Sequence, residues 1–165
     1  MIRHKTYSNV IDTLKCIGEL HKQIQTTTTG DIWEIDLEKN TKFPLYHINP
    51  TNVEISLSQK TFNFQVFIMD IVEADNSNEQ EVLNDTLQIT TDIIALLKHS
   101  ELLQTASASH GEEPRYYVGD DFTCEPFTET YDNTLTGWVM KLPIVIESVL
   151  ESCDIPLIKT TTCIK

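Results

Sequence analysis

The chain has 165 residues, 40% of them apolar, which is enough for one domain with a sizeable core. Its 25 acids against 12 lysines and arginines give a formal net charge of −13. With no basic run, the chain is a poor binder of nucleic acid or of an anionic membrane surface, since both need Lys and Arg to meet phosphates.

The four cysteines, Cys16, Cys124, Cys153 and Cys163, are widely spread, with no C-x-x-C pair and no histidine at ligand spacing. That argues against zinc and against a disulfide framework, and for free thiols in a reducing compartment. No apolar run approaches the roughly 20 residues of a membrane span. The basic N-terminus, Met1 to Lys5, lacks the apolar core of a signal peptide. A soluble protein made in a cytoplasm is therefore expected, with a core over about residues 7–150.

In chain order, residues 7–24 have the spacing of an amphipathic helix. Val10, Leu14, Ile17, Leu20 and Ile24 fall inward, and Asp12, Lys15, Glu19 and Lys22 outward, after a Ser8 N-cap. Gly18 in its middle is either a point of close packing or a tolerated surface glycine. Thr26–Thr29 with Gly30 and Asp31 reads as a turn. Residues 31–38 alternate like a strand, with Glu34, Asp36 and Glu38 forming an acidic stripe best read as a solvated face. Residues 43–50 form a short extended piece that Pro44 and Pro50 confine to an edge or a bend. Residues 52–58 alternate cleanly, with Val53, Ile55 and Leu57 expected inward, and turn tightly into the next strand as an antiparallel hairpin.

That next stretch, TFNFQVFIMDIV from residue 61, is the centre of the chain. Phe62, Phe64, Val66 and Ile68 share one face, while Phe67, Met69 and Ile71 make the other apolar towards the end, so a central strand covered on both sides there is expected. After a polar linker, Asn78 and Glu81 resemble a capping box, and a helix to His99 follows. Its two apolar rows are Leu83, Leu87, Ile94 and Leu97, and Val82, Ile89, Ile93 and Leu96. Residues 104–115 are small and polar and read as a loop. Residues 116–131 look like broken β-structure, with Gly119 and Pro126 at bends. A final apolar strand spans 135–146, with Trp138, Met140, Leu142, Ile144 and Ile146 on one face. A short helical turn near Val149 and Leu150 and a tail over 153–165 complete the chain. The expected class is α+β: a largely antiparallel sheet with two main helices packed on it, ordered helix, strands, helix, strands.

No catalytic motif is present: there is no phosphate-binding glycine loop, nucleophile elbow or HExxH, and the five histidines are dispersed. Neither a cofactor nor an enzymatic activity is expected. Cys124 reads as a small core residue. The densest charge lies between residues 112 and 132, where Asp120, Asp121, Glu125 and Glu129 stand among other acids. Paired-carboxylate hydrolysis would need one of them buried beside another. A solvated face is the reading the pattern supports.

The order of elements, together with FNFQVFIMD at 62–70, EVLNDTL at 81–87, FTCEPF at 122–127, DNTLTGW at 132–138 and CDIP at 153–156, resembles the neck and tail-completion (tail-terminator) proteins of tailed bacteriophages. The resemblance covers about residues 7–156. It implies a virion structural protein that forms a closed ring of six or twelve copies between portal and tail. Its partners would be itself and the neighbouring neck, portal or tail proteins. DNA would pass through without specific binding, and no membrane would be involved. Asp120, Asp121, Glu125 and Glu129 are then candidates for an acidic lumen that repels phosphate. The competing reading is a small acidic adaptor that recognises a basic protein partner.

Overall fold

The structure is a computed structural model that describes residues 7–31, 41–99, 116–130, 134–148 and 150. The acidic stripe at 34–38, the loop at 104–115 with His110, the turn at 132–133 and the tail at 153–165 lie outside these residues. The described elements are α1 (Tyr7–Leu20), β1 (Thr26–Thr29), β2 (Leu45–Ile55), β3 (Gln59–Ile71), α2 (Glu79–His99), β4 (Tyr116–Val118), β5 (Cys124–Thr130) and β6 (Thr134–Glu147). The fold is α+β, with one mostly antiparallel sheet and two helices, in the expected order.

The sheet runs β1-β2-β3-β6-β4, with β5 also on β6. β3 is central and pairs antiparallel with β2 on one side and along its whole length with β6 on the other. The apolar run at 61–72 was expected to be the middle of the sheet, and it is. β4 and β5 follow one another along the far edge of β6. Pro126 lies in β5, an edge strand, where a missing N–H costs no ladder bond.

Three local expectations are corrected. Thr26–Thr29 is a strand, β1, parallel to β2 from Thr26↔Leu45 to Thr29↔Ile48. Four β-branched residues favour extended backbone once a neighbouring strand offers partners. The pieces expected at 43–50 and 52–58 are one strand, β2, with a register shift between Pro50 and Asn52. Pro50 fits because β1 pairs only with residues 45–48, so its side facing away from β3 lies beyond that ladder. Finally, α1 stops at Leu20, which is 57% exposed, and Ile24 reaches the core from the following turn.

One face of the sheet carries both helices. Val10, Leu14 and Ile17 of α1 and Ile89, Ile93 and Leu97 of α2 pack on Tyr46, Ile48, Phe62, Phe64, Val66, Ile68, Met140, Leu142, Ile144 and Ile146. Gly18 is a point of close packing: a Cβ there would sit 2.5 Å from Cδ1 of the buried Tyr46 ring. Gly137 is tighter still, because its Cβ would lie 1.9 Å from the Ile68 carbonyl oxygen. The Trp138 indole N–H donates to the Leu83 carbonyl at 2.8 Å and ties α2 to β6. Thr86 and Thr90, buried on α2, donate back to the carbonyls of Val82 and Thr86, whereas Leu87, expected inward, is 39% exposed. Asn78 does not close a capping box; its side-chain carbonyl accepts the Glu73 N–H at 2.8 Å and closes the β3–α2 turn.

The opposite face divides in two. Leu45, Phe67, Met69 and Leu135 are buried there, with Phe43, Phe127 and Val139 against them; of the second apolar row of β3, Phe67 and Met69 are covered as expected and Ile71 is exposed. Farther along, the same face turns polar: Asn49 bonds to Gln65, and Asn63 to Glu54.

Candidate functional site

The acids singled out in the sequence gather at the β4–β5 corner and along β5, but they do not form one uniform patch. Asp120, Asp121, Glu125 and Glu129 are all exposed. Asp120 turns towards α2, where Lys98 Nζ binds its carboxylate and also donates to the carbonyls of Val118 and Gly119 at 3.1 Å. The hydrogen bond from Lys98, reinforced by its charge, holds the Asp120 carboxyl below the ordinary aspartate range. Glu125 and Glu129 project from the other face of the sheet, two residues either side of Phe127, and Lys141 Nζ reaches Glu125 at 3.0 Å. Asp121 lies in the corner between β4 and β5. One lysine therefore offsets an acid on each face, and the rest of the field stays negative and solvated.

His21 Nε2 lies 3.3 Å from Asp92 Oδ2, and its Nδ1 accepts the Gln23 N–H at 3.3 Å. With both ring nitrogens engaged, the pair links the end of α1 to α2. His47 is buried, with Nδ1 2.7 Å from the Thr28 hydroxyl and Nε2 3.2 Å from the Gly30 carbonyl, so it ties β2 to β1. Asp70, half-buried at the end of β3, has its pKa raised by burial and by the charge of Asp85, against the lowering effect of the Ile71 N–H that its carboxylate accepts. Burial also pushes the Cys124 thiol up, away from the thiolate a nucleophile needs. Among the described residues no three His, Cys, Asp or Glu side chains gather as a metal would require. No helix among them is long and apolar enough to cross a membrane.

The feature that sequence reading misplaced is the free end of the β2–β3 hairpin. Val53, Ile55 and Leu57, expected in the core, are 44%, 62% and 81% exposed. Val53 and Ile55 do occupy the helix-side face, since Val53 pairs with Phe62 and Ile55 with Lys60. Yet no described element covers them fully, for a reason of length. Fourteen residues of α1 span about 21 Å, whereas thirteen of β3 span about 43 Å. α1 begins at the Phe62 row, where the Tyr7 and Phe62 rings lie 6.1 Å apart, and runs away from the turn towards Tyr46. The hairpin thus extends beyond the helical layer. Ser148 and Leu150 donate to the carbonyls of Ser58 and Leu57, and Leu150 is 54% exposed; the helical turn expected near Val149 and Leu150 falls largely outside the described residues. Strand and helix lengths compared in the sequence were the available signal.

Next to this apolar end lies a cavity of about 210 Å³, lined by Tyr7, Pro50, Asn52, Val53, Phe62 and Phe64 among others. The hairpin therefore carries both a projecting apolar knob and an apolar hollow. Compared with models of known protein families, the chain matches none. A comparison with curated proteins likewise finds no match.

Proposed function

We propose that this chain is a ring-forming structural protein of a tailed-bacteriophage virion, a tail terminator or head–tail adaptor between portal and tail. The observation that carries the reading is the element order, a helix, a long hairpin into a central strand, a second helix and a closing apolar strand, all on one mostly antiparallel sheet. The same order of elements is among the features that carry the resemblance. Repeated copies joined head to tail close into a ring when their rotation closes. A net charge of −13 suits a channel that DNA crosses without sticking.

Native mass spectrometry over a concentration series, with negative-stain images of the same sample, tests the proposal. Rings of six or twelve copies with a central hole are the expected result. A chain that stays monomeric and binds a cationic protein with steep salt dependence would instead favour the acidic adaptor. The lumen assignment has its own test. Replacing Asp120, Asp121, Glu125 and Glu129 together with the matching amides should leave the fold intact, because all four are exposed, and should slow DNA ejection. Unchanged ejection and infectivity would remove those residues from the lumen.

A further inference from the structure

We infer that the apolar end of the β2–β3 hairpin is the contact between copies, with Leu57 and Ile55 of one chain seated in the Tyr7–Phe62 hollow of the next. This rests on the reading of the chain as a ring-former and names the surfaces that would join it.

Three observations select a second copy as the occupant. The first is shape. Leu57 and Ile55 project, and the hollow of about 210 Å³ lies beside them on the same hairpin. An apolar cavity of roughly 150 Å³ accepts a benzene-sized guest, so this one has room for a branched aliphatic side chain. Knob into hollow can repeat from copy to copy head to tail, and such a series closes into a ring when its rotation closes. The second is charge. Residues 50–64 hold one acid, Glu54, and one base, Lys60, so the segment is neutral in a chain of −13. The Glu54 carboxylate is further engaged by the Asn63 amide at 3.2 Å. Exposed Glu147, beside Gln59 on β6, is the one acid added to this end from another described strand, so a second −13 chain meets less repulsion here than along β5. The third is the strand edge. β1 pairs with β2 only from Leu45 to Ile48, and no described strand pairs the outer edge of residues 50–55. An edge with no partner among the described residues, beside exposed apolar side chains, is a site for association with another chain.

The test uses two variants of the full chain, one altered in the knob (Ile55→Lys with Leu57→Lys) and one in the hollow (Asn52→Trp). All three positions are exposed, so melting and circular dichroism should match the parent. By native mass spectrometry each variant alone should need at least about tenfold more protein to assemble, the worth of one buried leucine. An equimolar mixture should recover a two-chain particle, because one intact knob still meets one intact hollow. Parent oligomers that neither variant disturbs would overturn the contact and leave the ring proposal standing. A parent that stops at two copies, dispersed by both variants, would keep the contact and remove the ring. A parent monomeric at every concentration would overturn the contact alone, since such rings can close on a neighbouring ring.

Discussion

Tyr46 is fully buried and its hydroxyl has no hydrogen-bond partner among the described residues. Burial pushes its phenol pKa far up, which keeps it neutral at any physiological pH. An unsatisfied buried hydroxyl costs about 1–3 kcal/mol. Tyr46→Phe should therefore leave stability unchanged or raise it by about 1 kcal/mol, read as a higher denaturant midpoint with an unchanged slope. Gly18→Ala should go the other way. Alanine gains roughly 1 kcal/mol of helix propensity, but its methyl meets the fully buried ring of Tyr46. Overpacking of this kind costs about 1–3 kcal/mol, so a net loss in the same measurement is expected. Asp70 supplies a pH test. Its folded pKa is raised by burial and by Asp85, so between the unfolded and folded values the native state binds more protons than the unfolded state. Stability then falls as pH rises through that window. Asp70→Asn should raise the melting temperature at pH 7, and the gain should vanish below the ordinary aspartate pKa of about 3.9; a pH-independent gain would show that the titration is not responsible.

Among the elements, α2 is held to the sheet at both ends. Trp138 bonds to the Leu83 carbonyl near its start, and Lys98 binds the β4–β5 corner near its end. Lys98→Met keeps the apolar stem but orphans the Val118 and Gly119 carbonyls. Hydrogen exchange should speed up in β4 and at the start of β5, with the central β3 amides unchanged. Because the Lys98–Asp120 pair is exposed on the Asp120 side, the loss should arise from the two carbonyls rather than from the ion pair. The central hairpin and both helices were legible in the sequence, since Phe62, Phe64, Val66 and Ile68 alternate without interruption and α2 holds its period for 21 residues. β1 was not legible, because a run of four threonines carries turn-like polarity and becomes a strand only when β2 lies beside it. Its Thr28 then meets buried His47, a contact between elements that no local pattern encodes.

For the whole molecule, the decisive quantity is the mismatch between a long sheet and shorter helices. It leaves Val53, Ile55, Leu57 and Leu150 exposed at one end, while the acids sit at the β4–β5 corner and along β5. The molecule thus carries an apolar end whose described charges are Glu54, Lys60 and Glu147, and a negative corner. If copies join through the apolar end, assembly should tolerate high salt, because hydrophobic burial is not screened, while any cationic partner of the acids should be lost. Sedimentation at 50 mM and 500 mM salt separates the two, and dissociation of the homo-oligomer at high salt would count against the hairpin contact.

By itself the sequence determined the class of fold, the central strand, the hairpin and the two helical faces. Those follow from the period of apolar residues, which depends only on backbone geometry. It also located the acids, because charge is additive along a chain. Only the tertiary structure decided which alternating strand residues are covered, as Val53 and Ile55 have the same pattern as Phe62 and Phe64 and differ only in whether a helix lies above them. It likewise decided that Gly18 is a packing residue and that Asp120 and Glu125 are each met by a lysine from another element. Periodicity states which side a residue faces, while burial depends on how far the opposing layer extends, and that is a property of two elements together.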